Sequence, residues 1–256
     1  MSISVFPIKA FNDNYIWCLH NQTHCTVVDP GDAAPVLAYC QENQLTLSAV
    51  IITHHHWDHT GGIDALLVAF PNVPIYGPQN KKIKQITARL SQGDNLELPN
   101  LGVKLSVLEV PGHTLDHIAY YGDIGLFCGD TLFSAGCGRL FEGSPQQMFQ
   151  SLAKLTALPD DTKVYCTHEY TMANIAFAEA VEPKNQALID YKHWAKRQRE
   201  KSIPTLPSSI KRELAVNPFL RCDSAELVIS VNHSSGTTLT SEQATFASLR
   251  SWKDNF

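Results

Sequence analysis

The chain has 256 residues, 44% of them hydrophobic, with a formal net charge of −5 at pH 7. That suits one large domain, or one with a modest extension and a full core, and it argues against a nucleic-acid or anionic-membrane surface. Seven scattered cysteines without a C-x-x-C pair exclude a disulfide framework or thiolate zinc site and point to a reducing, cytoplasmic setting, with no signal peptide and no apolar run near the ~20 residues that span a bilayer.

In chain order, residues 3–5, 15–19 and 26–28 read as strands, and Asp29-Pro30-Gly31-Asp32 as a turn. A helix is expected over 35–42, a strand over 47–52, a helix over 63–70 stopped by Pro71, and a strand over 73–76. Residues 78–89 are read as helical, 95–110 as a hairpin, and 119–121 and 126–128 as paired strands around Asp123-Ile124-Gly125. A helix over 145–155 and a strand over 163–166 follow. Helical patterning then dominates, with helices over 172–181 and 186–201, a Pro-containing linker over 203–207, and a final helix from Leu239 with Thr240 and Gln243 spaced as a capping box. The change of character places a domain boundary near residue 168, giving a catalytic part over 1–168 and a helical part over 169–256.

The densest chemistry lies in Thr53-His54-His55-His56-Trp57-Asp58-His59, which puts four candidate metal ligands into six residues on a strand-to-helix loop. His54 and His56 can face one metal, and Asp58 and His59 a second. Imidazole with carboxylate suits Zn, Fe or Mn better than Ca. Three more candidates follow strand-like runs: His113 after Val110-Pro111-Gly112, Asp130 after Cys128-Gly129, and His168 after Cys166-Thr167. Singly, each is more simply a core histidine or a turn aspartate. Recurring at strand ends, they join the histidine loop. Seven ligands are too many for one tetrahedral ion. They fit two: His54, His56 and His113 on one, Asp58, His59 and His168 on the other, and Asp130 bridging. Such a pair suits hydrolysis by a shared hydroxide near neutral pH, with Asp58 orienting it.

The segments T-H-H-H-W-D-H, P-G-H-T, G-D-T-L-F and T-H-E-Y resemble the metallo-β-lactamase superfamily. Ile203-Pro204, Asn217-Pro218-Phe219-Leu220-Arg221 and Arg250-x-x-Lys253-Asp254-x-Phe256 narrow the resemblance to the glyoxalase II, or hydroxyacylglutathione hydrolase, family. The resemblance implies an α/β fold: an αββα sandwich followed by a smaller helical domain. It implies two divalent metal ions, zinc first with iron or manganese as alternatives, and hydrolysis of S-D-lactoylglutathione to glutathione and D-lactate. It carries glutathione contacts onto Arg139, Phe141, Tyr170, Arg250 and Lys253. The family often has Lys and Tyr where this chain has Arg139 and Phe141, and it commonly reads G-H-T-x-G-H where this chain has Asp116.

On the residues alone, Arg250 and Lys253 share a helix face but would pass for solvated surface; Arg forks suit the carboxylates of glutathione. A monomer with no nucleic-acid or membrane partner is expected. The rival enzymes are less favoured. A zinc β-lactamase commonly has Cys where Asp130 stands, an RNA-processing nuclease suits a chain at −5 poorly, and a one-iron persulfide dioxygenase needs no His59 with His168. A binding module without turnover would not need the whole two-metal set.

Overall fold

A computed structural model gives the fold of residues 3–256. It divides into two compact units: the chain up to Glu109 together with Asp116–Gly129, and Val110–Leu115 together with Asp130–Phe256.

The first unit runs β1 (Ser4–Ala10), β2 (Asn14–His20), β3 (His24–Val28), α1 (Ala33–Glu42), β4 (Thr46–Ile51), α2 (Trp57–Thr60), α3 (Ile63–Ala69), β5 (Ile75–Pro78), β6 (Ala88–Leu90), β7 (Asn95–Leu98), β8 (Val103–Glu109), β9 (Ile118–Gly122) and β10 (Gly125–Gly129). Strands β1 to β6 form a mixed sheet in chain order, antiparallel as far as β3 and parallel from there on. Apolar residues of α1 and α3, among them Val36, Cys40, Ile63 and Leu66, pack with Ile16, Val27, Val50 and Ile75 of the sheet in one core. Each such large side chain stabilises the fold by roughly 1.5–3 kcal/mol on burial. Strands β7 to β10 are antiparallel neighbours. In β7 and β8 buried and exposed residues alternate, the period-two pattern of a sheet with one wet face.

The parallel pairing of β3 with β4 decides where the chemistry sits. Its register sets Val28 opposite Ile51, so both strands end at the same level. Asp29 follows β3 and donates its N–H to Ile51 O at 2.9 Å. It then turns at φ 53°, a left-handed conformation that Asp tolerates. Asp32 caps α1 by accepting the Ala34 N–H at 2.9 Å. Gly31, between them, passes so close to α2 that a Cβ there would lie 1.8 Å from the carbonyl oxygen of Asp58.

Residues 79–87 are not helical. Arg89 takes their carbonyls instead: its guanidinium donates to Pro78 O, Asn80 O and Ile83 O. Ile83 and Ile86 both join the sheet core from an irregular segment.

The second unit runs β11 (Leu132–Phe133), β12 (Gly136–Cys137), α4 (Pro145–Thr156), β13 (Lys163–Cys166), α5 (Thr171–Val181), α6 (Gln186–Glu200), β14 (Ser208–Ser209), α7 (Ile210–Val216), α8 (Ala225–Ser235) and α9 (Glu242–Asp254). The short strands β11, β12 and β14 and helices α7 and α8 add to the elements read from sequence. The last helix is capped by Ser241, whose hydroxyl accepts the Ala244 N–H at 3.2 Å, and not by a Thr240–Gln243 box. A capping box occurs instead on α4, where Ser144 and Gln147 cap one another reciprocally.

The β11–β12 hairpin is held by side chains of the helices. Asn217 donates to Phe133 O at 3.1 Å and Gly136 O at 2.9 Å, and Asn174 to Ser134 O at 3.0 Å. Glu213 accepts the Ala135 N–H at 2.8 Å, and Arg250 donates to Cys137 O at 3.0 Å. Glu213 is fully buried; burial pushes its carboxyl pKa up, and donors from Ser208, Ala135, Ser134 and Asn217 pull it back.

The contact of Gly31 with α2 gives the first prediction. Gly31→Ala cannot be accommodated without displacing the backbone of Asp58. It is expected to cost about 1–3 kcal/mol, the range for overpacking, and to lower bound metal, read by thermal unfolding and elemental analysis of the same sample. Wild-type stability and metal content together would show that this close approach carries no constraint.

Candidate metal centre

The first unit holds His54, His56, Asp58 and His59. His54 and His59 are fully buried. Their rings lie 4.1 Å apart between centroids, and His54 Nε2 lies 3.0 Å from His56 Nδ1. The protons on these rings follow from their partners. Thr53 Oγ1 donates to Asp29 Oδ2 at 2.7 Å, so its lone pair accepts from His54 Nδ1–H at 3.1 Å. His54 Nε2 therefore carries a lone pair. His59 Nδ1 lies 3.0 Å from Asp29 Oδ2 and His59 Nε2 lies 3.6 Å from Asp58 Oδ2, so each ring nitrogen faces a carboxylate. Asn14 Nδ2 donates to Asp58 Oδ2 at 3.1 Å. His117 stacks on His54 with centroids 4.6 Å apart.

The second unit holds His113, Asp130 and His168, all buried. Asp130 Oδ2 lies 3.4 Å from His113 Nε2 and 3.3 Å from His168 Nε2. His113 Nδ1 donates to Arg139 O at 2.7 Å, so its Nε2 also keeps a lone pair. A carboxylate oxygen between these two ring nitrogens suits the bridging place expected for Asp130. Imidazoles that give one N–H to the protein and keep the other nitrogen bare, beside fixed carboxylates, are a donor set that fits a divalent ion.

The residues expected to contact glutathione all lie in the second unit. Tyr170 stacks flat on His168, with centroids 4.6 Å apart at 1°, and Phe141 meets the His113 ring edge-on at 5.2 Å. Both rings are exposed, Phe141 at 62%. Arg139 and Arg250 share the Asp254 carboxylate: Arg139 Nε lies 3.4 Å from it and Arg250 Nη2 donates at 3.0 Å. Arg250 is itself buried, over the Phe219 ring, with its other arm on Cys137 O. Lys253 sits 4.9 Å above the Phe177 ring and 3.4 Å from Ala173 O. Burial first, and the Arg250 charge second, lower its pKa.

Sequence reasoning read Asp29 only as a turn residue and passed over Asn14. A strand followed by Asp-Pro-Gly beside a histidine motif was the available signal for Asp29. Its role as acceptor for Thr53, with His59 close beside it, depends on strand register. Buried Tyr120 adds to this layer by donating to Ile52 O at 2.8 Å, and burial with the Asp29 charge keeps its phenol well above its ordinary pKa.

Comparison with known proteins agrees with this chemistry. Residues 12–168 match the family described as Metallo-beta-lactamase superfamily, and residues 169–256 match Hydroxyacylglutathione hydrolase C-terminus. The chain is 52% identical to a hydroxyacylglutathione hydrolase of Nitrosomonas europaea over 99% of this chain and 97% of the relative. It is 56% identical to one of Aliivibrio salmonicida over 97% and 98%. Among solved structures, ETHE1 from Myxococcus xanthus shares the fold, with a TM-score of 0.64 at 23% identity over 99% of this chain and 98% of that one. Fold and donor set define a metal-dependent hydrolase of the metallo-β-lactamase fold with a helical C-terminal domain. The chain belongs to the hydroxyacylglutathione hydrolase family of that superfamily.

The pivotal place of Asp29 is open to test. Asn tolerates the same left-handed backbone, so Asp29→Asn keeps the shape while turning one acceptor oxygen into a donor that faces Thr53 or His59. A loss of about 1–3 kcal/mol in urea unfolding is expected, the cost of leaving a buried donor unsatisfied. An unfolding curve that coincides with wild type would remove Asp29 from this role.

Proposed function

We propose that this chain hydrolyses S-D-lactoylglutathione to glutathione and D-lactate, using two divalent ions, zinc in the first place. The observation that carries the reading is near-full-length identity of about half with hydroxyacylglutathione hydrolases, at a chain that carries the full seven-ligand set. His54, His56 and His113 are assigned to one ion and Asp58, His59 and His168 to the other, with Asp130 between them. Such ions, when bound, acidify a water and polarise a carbonyl.

The chain's own residues do the rest. Asn14 fixes one oxygen of Asp58, and the carboxylate accepts the proton of the attacking water and orients it. The glutathione sulfur leaves as thiolate. A Cys thiol ionises near pH ~8.5, so expulsion needs no strong acid from the protein. Phe141, edge-on to His113, and Tyr170, stacked on His168, offer apolar walls to the thioester arm. Arg139, Lys253 and Arg250 offer charge to its carboxylates. Arg250 is also structural, since it supports the Cys137 turn.

Division into a catalytic part over 1–168 and a substrate-binding part over 169–256 is supported by the two family matches, which abut there. A cytoplasmic monomer without nucleic-acid or membrane partners fits the net charge of −5 and seven free thiols. Among the described residues no helix is long and apolar enough to cross a membrane. Helix α6 and its C-cap Lys201 do carry a local basic run from Lys192 on, in which Lys192 pairs with Glu179 and Arg199 with Glu169.

Two measurements test the reading. Purified protein should release thiol from S-D-lactoylglutathione while holding two ions per chain by elemental analysis. Active protein with one ion would end the binuclear assignment, and metal-loaded protein inert on the thioester would end the substrate assignment.

The second measurement separates recognition from chemistry. Replacing Arg139 and Lys253 with Ala spares the buried Arg250. KM for the glutathione thioester should rise about tenfold, a charge-assisted contact discounted for solvent, with kcat little changed and a small neutral thioester indifferent. An unchanged KM would return both residues to the category of surface charge.

A further inference from the structure

We propose that Asp116 is a positioning residue for the ligand loop: through His55 it fixes the backbone between His54 and His56 and so sets how tightly their ion is held. The proposal rests on the assignment of those two histidines as ligands.

His55 stands between them in sequence yet is turned to other partners. Its Nδ1 lies 2.9 Å from Asp116 Oδ1, and its Nε2 lies 3.3 Å from Lys82 Nζ. A carboxylate only accepts and an ammonium only donates, so the tautomer is set: Nδ1 carries the proton and Nε2 the lone pair. Both ring nitrogens are committed to protein partners. The ring is therefore a brace and not a third ligand of the run.

Asp116 is anchored in turn. Its second oxygen, Oδ2, accepts from Asn80 Nδ2 at 2.7 Å, and Asn80 Oδ1 accepts the Lys82 N–H at 2.8 Å. Lys82 thus reaches His55 from the same short turn that anchors Asp116. That turn is itself held by Arg89, which donates to Pro78 O, Asn80 O and Ile83 O. The side chains of His55 and Asp116 are only 13% and 11% exposed, so solvent screens the pair far less than a surface ion pair. The irregular run over 79–87 gains a purpose from this: a helix there would consume the carbonyls that Arg89 takes.

The consequence is preorganisation. A histidine loop free to rotate loses that freedom when its ion binds, and the loss appears as weaker affinity. With the His55 ring pinned at one end by Asp116 and at the other by Lys82, the peptide units on either side enter binding already ordered.

The test is the zinc dissociation constant of metal-free protein, measured against a chromophoric chelator, with the melting temperature of the metal-free form alongside. Asp116→Ala should weaken zinc binding about tenfold or more, the scale for groups that orient ligands. Asp116→Asn keeps an acceptor oxygen and should fall between Asp116→Ala and wild type, which also guards against a variant that does not fold. His55→Ala should weaken binding comparably, and the double variant should be no weaker than His55→Ala alone, since the two act as one unit. Wild-type zinc affinity in Asp116→Ala, or losses that simply add in the double variant, would overturn the proposal. A change in melting temperature with unchanged affinity would likewise overturn it, because that is a structural role only. Wild-type protein that fails to bind zinc at all would instead bring down the ligand assignment on which the proposal stands.

Discussion

Much of the first unit is arranged around a single buried carboxylate. Asp29 accepts from Thr53 N–H at 2.7 Å and from the Thr53 hydroxyl at 2.7 Å, and its Oδ2 lies 3.0 Å from His59 Nδ1. Through Thr53 it also sets the tautomer of His54. A buried charge is costly unless its lone pairs are filled. Here the donors that fill them belong to Thr53, at the head of the histidine loop, so satisfying one acid fixes the start of that loop beside the rings of His54 and His59. The parallel register of β3 and β4 makes this possible by ending both strands at one level.

The second unit solves a related problem with backbone groups. His113 is oriented by a main-chain carbonyl, that of Arg139, and the stretch leading to it is the β11–β12 hairpin. That hairpin is too short to satisfy itself. Asn174, Glu213, Asn217 and Arg250 from the helices supply what its own ladder lacks. The same Arg250 joins Arg139 on Asp254, so the cationic surface and the ligand support are mechanically one piece.

Much of this was legible in the sequence, for physical reasons. Histidines and aspartates at strand ends are conspicuous because few other roles would gather them. The alternation of β7 and β8 and the apolar stripe of α4 announced their elements. Residues 78–89 were expected to be helical, but the deciding partner, Arg89, takes their carbonyls in a way no periodicity reveals. The cap of α9 fell one residue later than read, because Ser241 and Thr240 are chemically equal candidates and only backbone geometry chooses between them. Asp29 and Asn14 act through tertiary contacts 24 and 44 residues away, beyond any local pattern. Arg250 was read correctly as sharing a face with Lys253, but burial over Phe219 could not be seen in a helix whose charges suggested water.

The way the hairpin is held bears on how such a chain could be taken apart. A polypeptide stopped at residue 168 would keep every candidate metal ligand yet lose Asn174, Glu213, Asn217 and Arg250 together. The carbonyls of residues 133, 134, 136 and 137 and the amide of residue 135 would then have to turn to water, and the segment between Asp130 and Arg139 would lose its fixed path. For the protein engineer, the helical segment is an internal support of that hairpin, not a detachable accessory. Any module put in its place would first have to reproduce those four side chains.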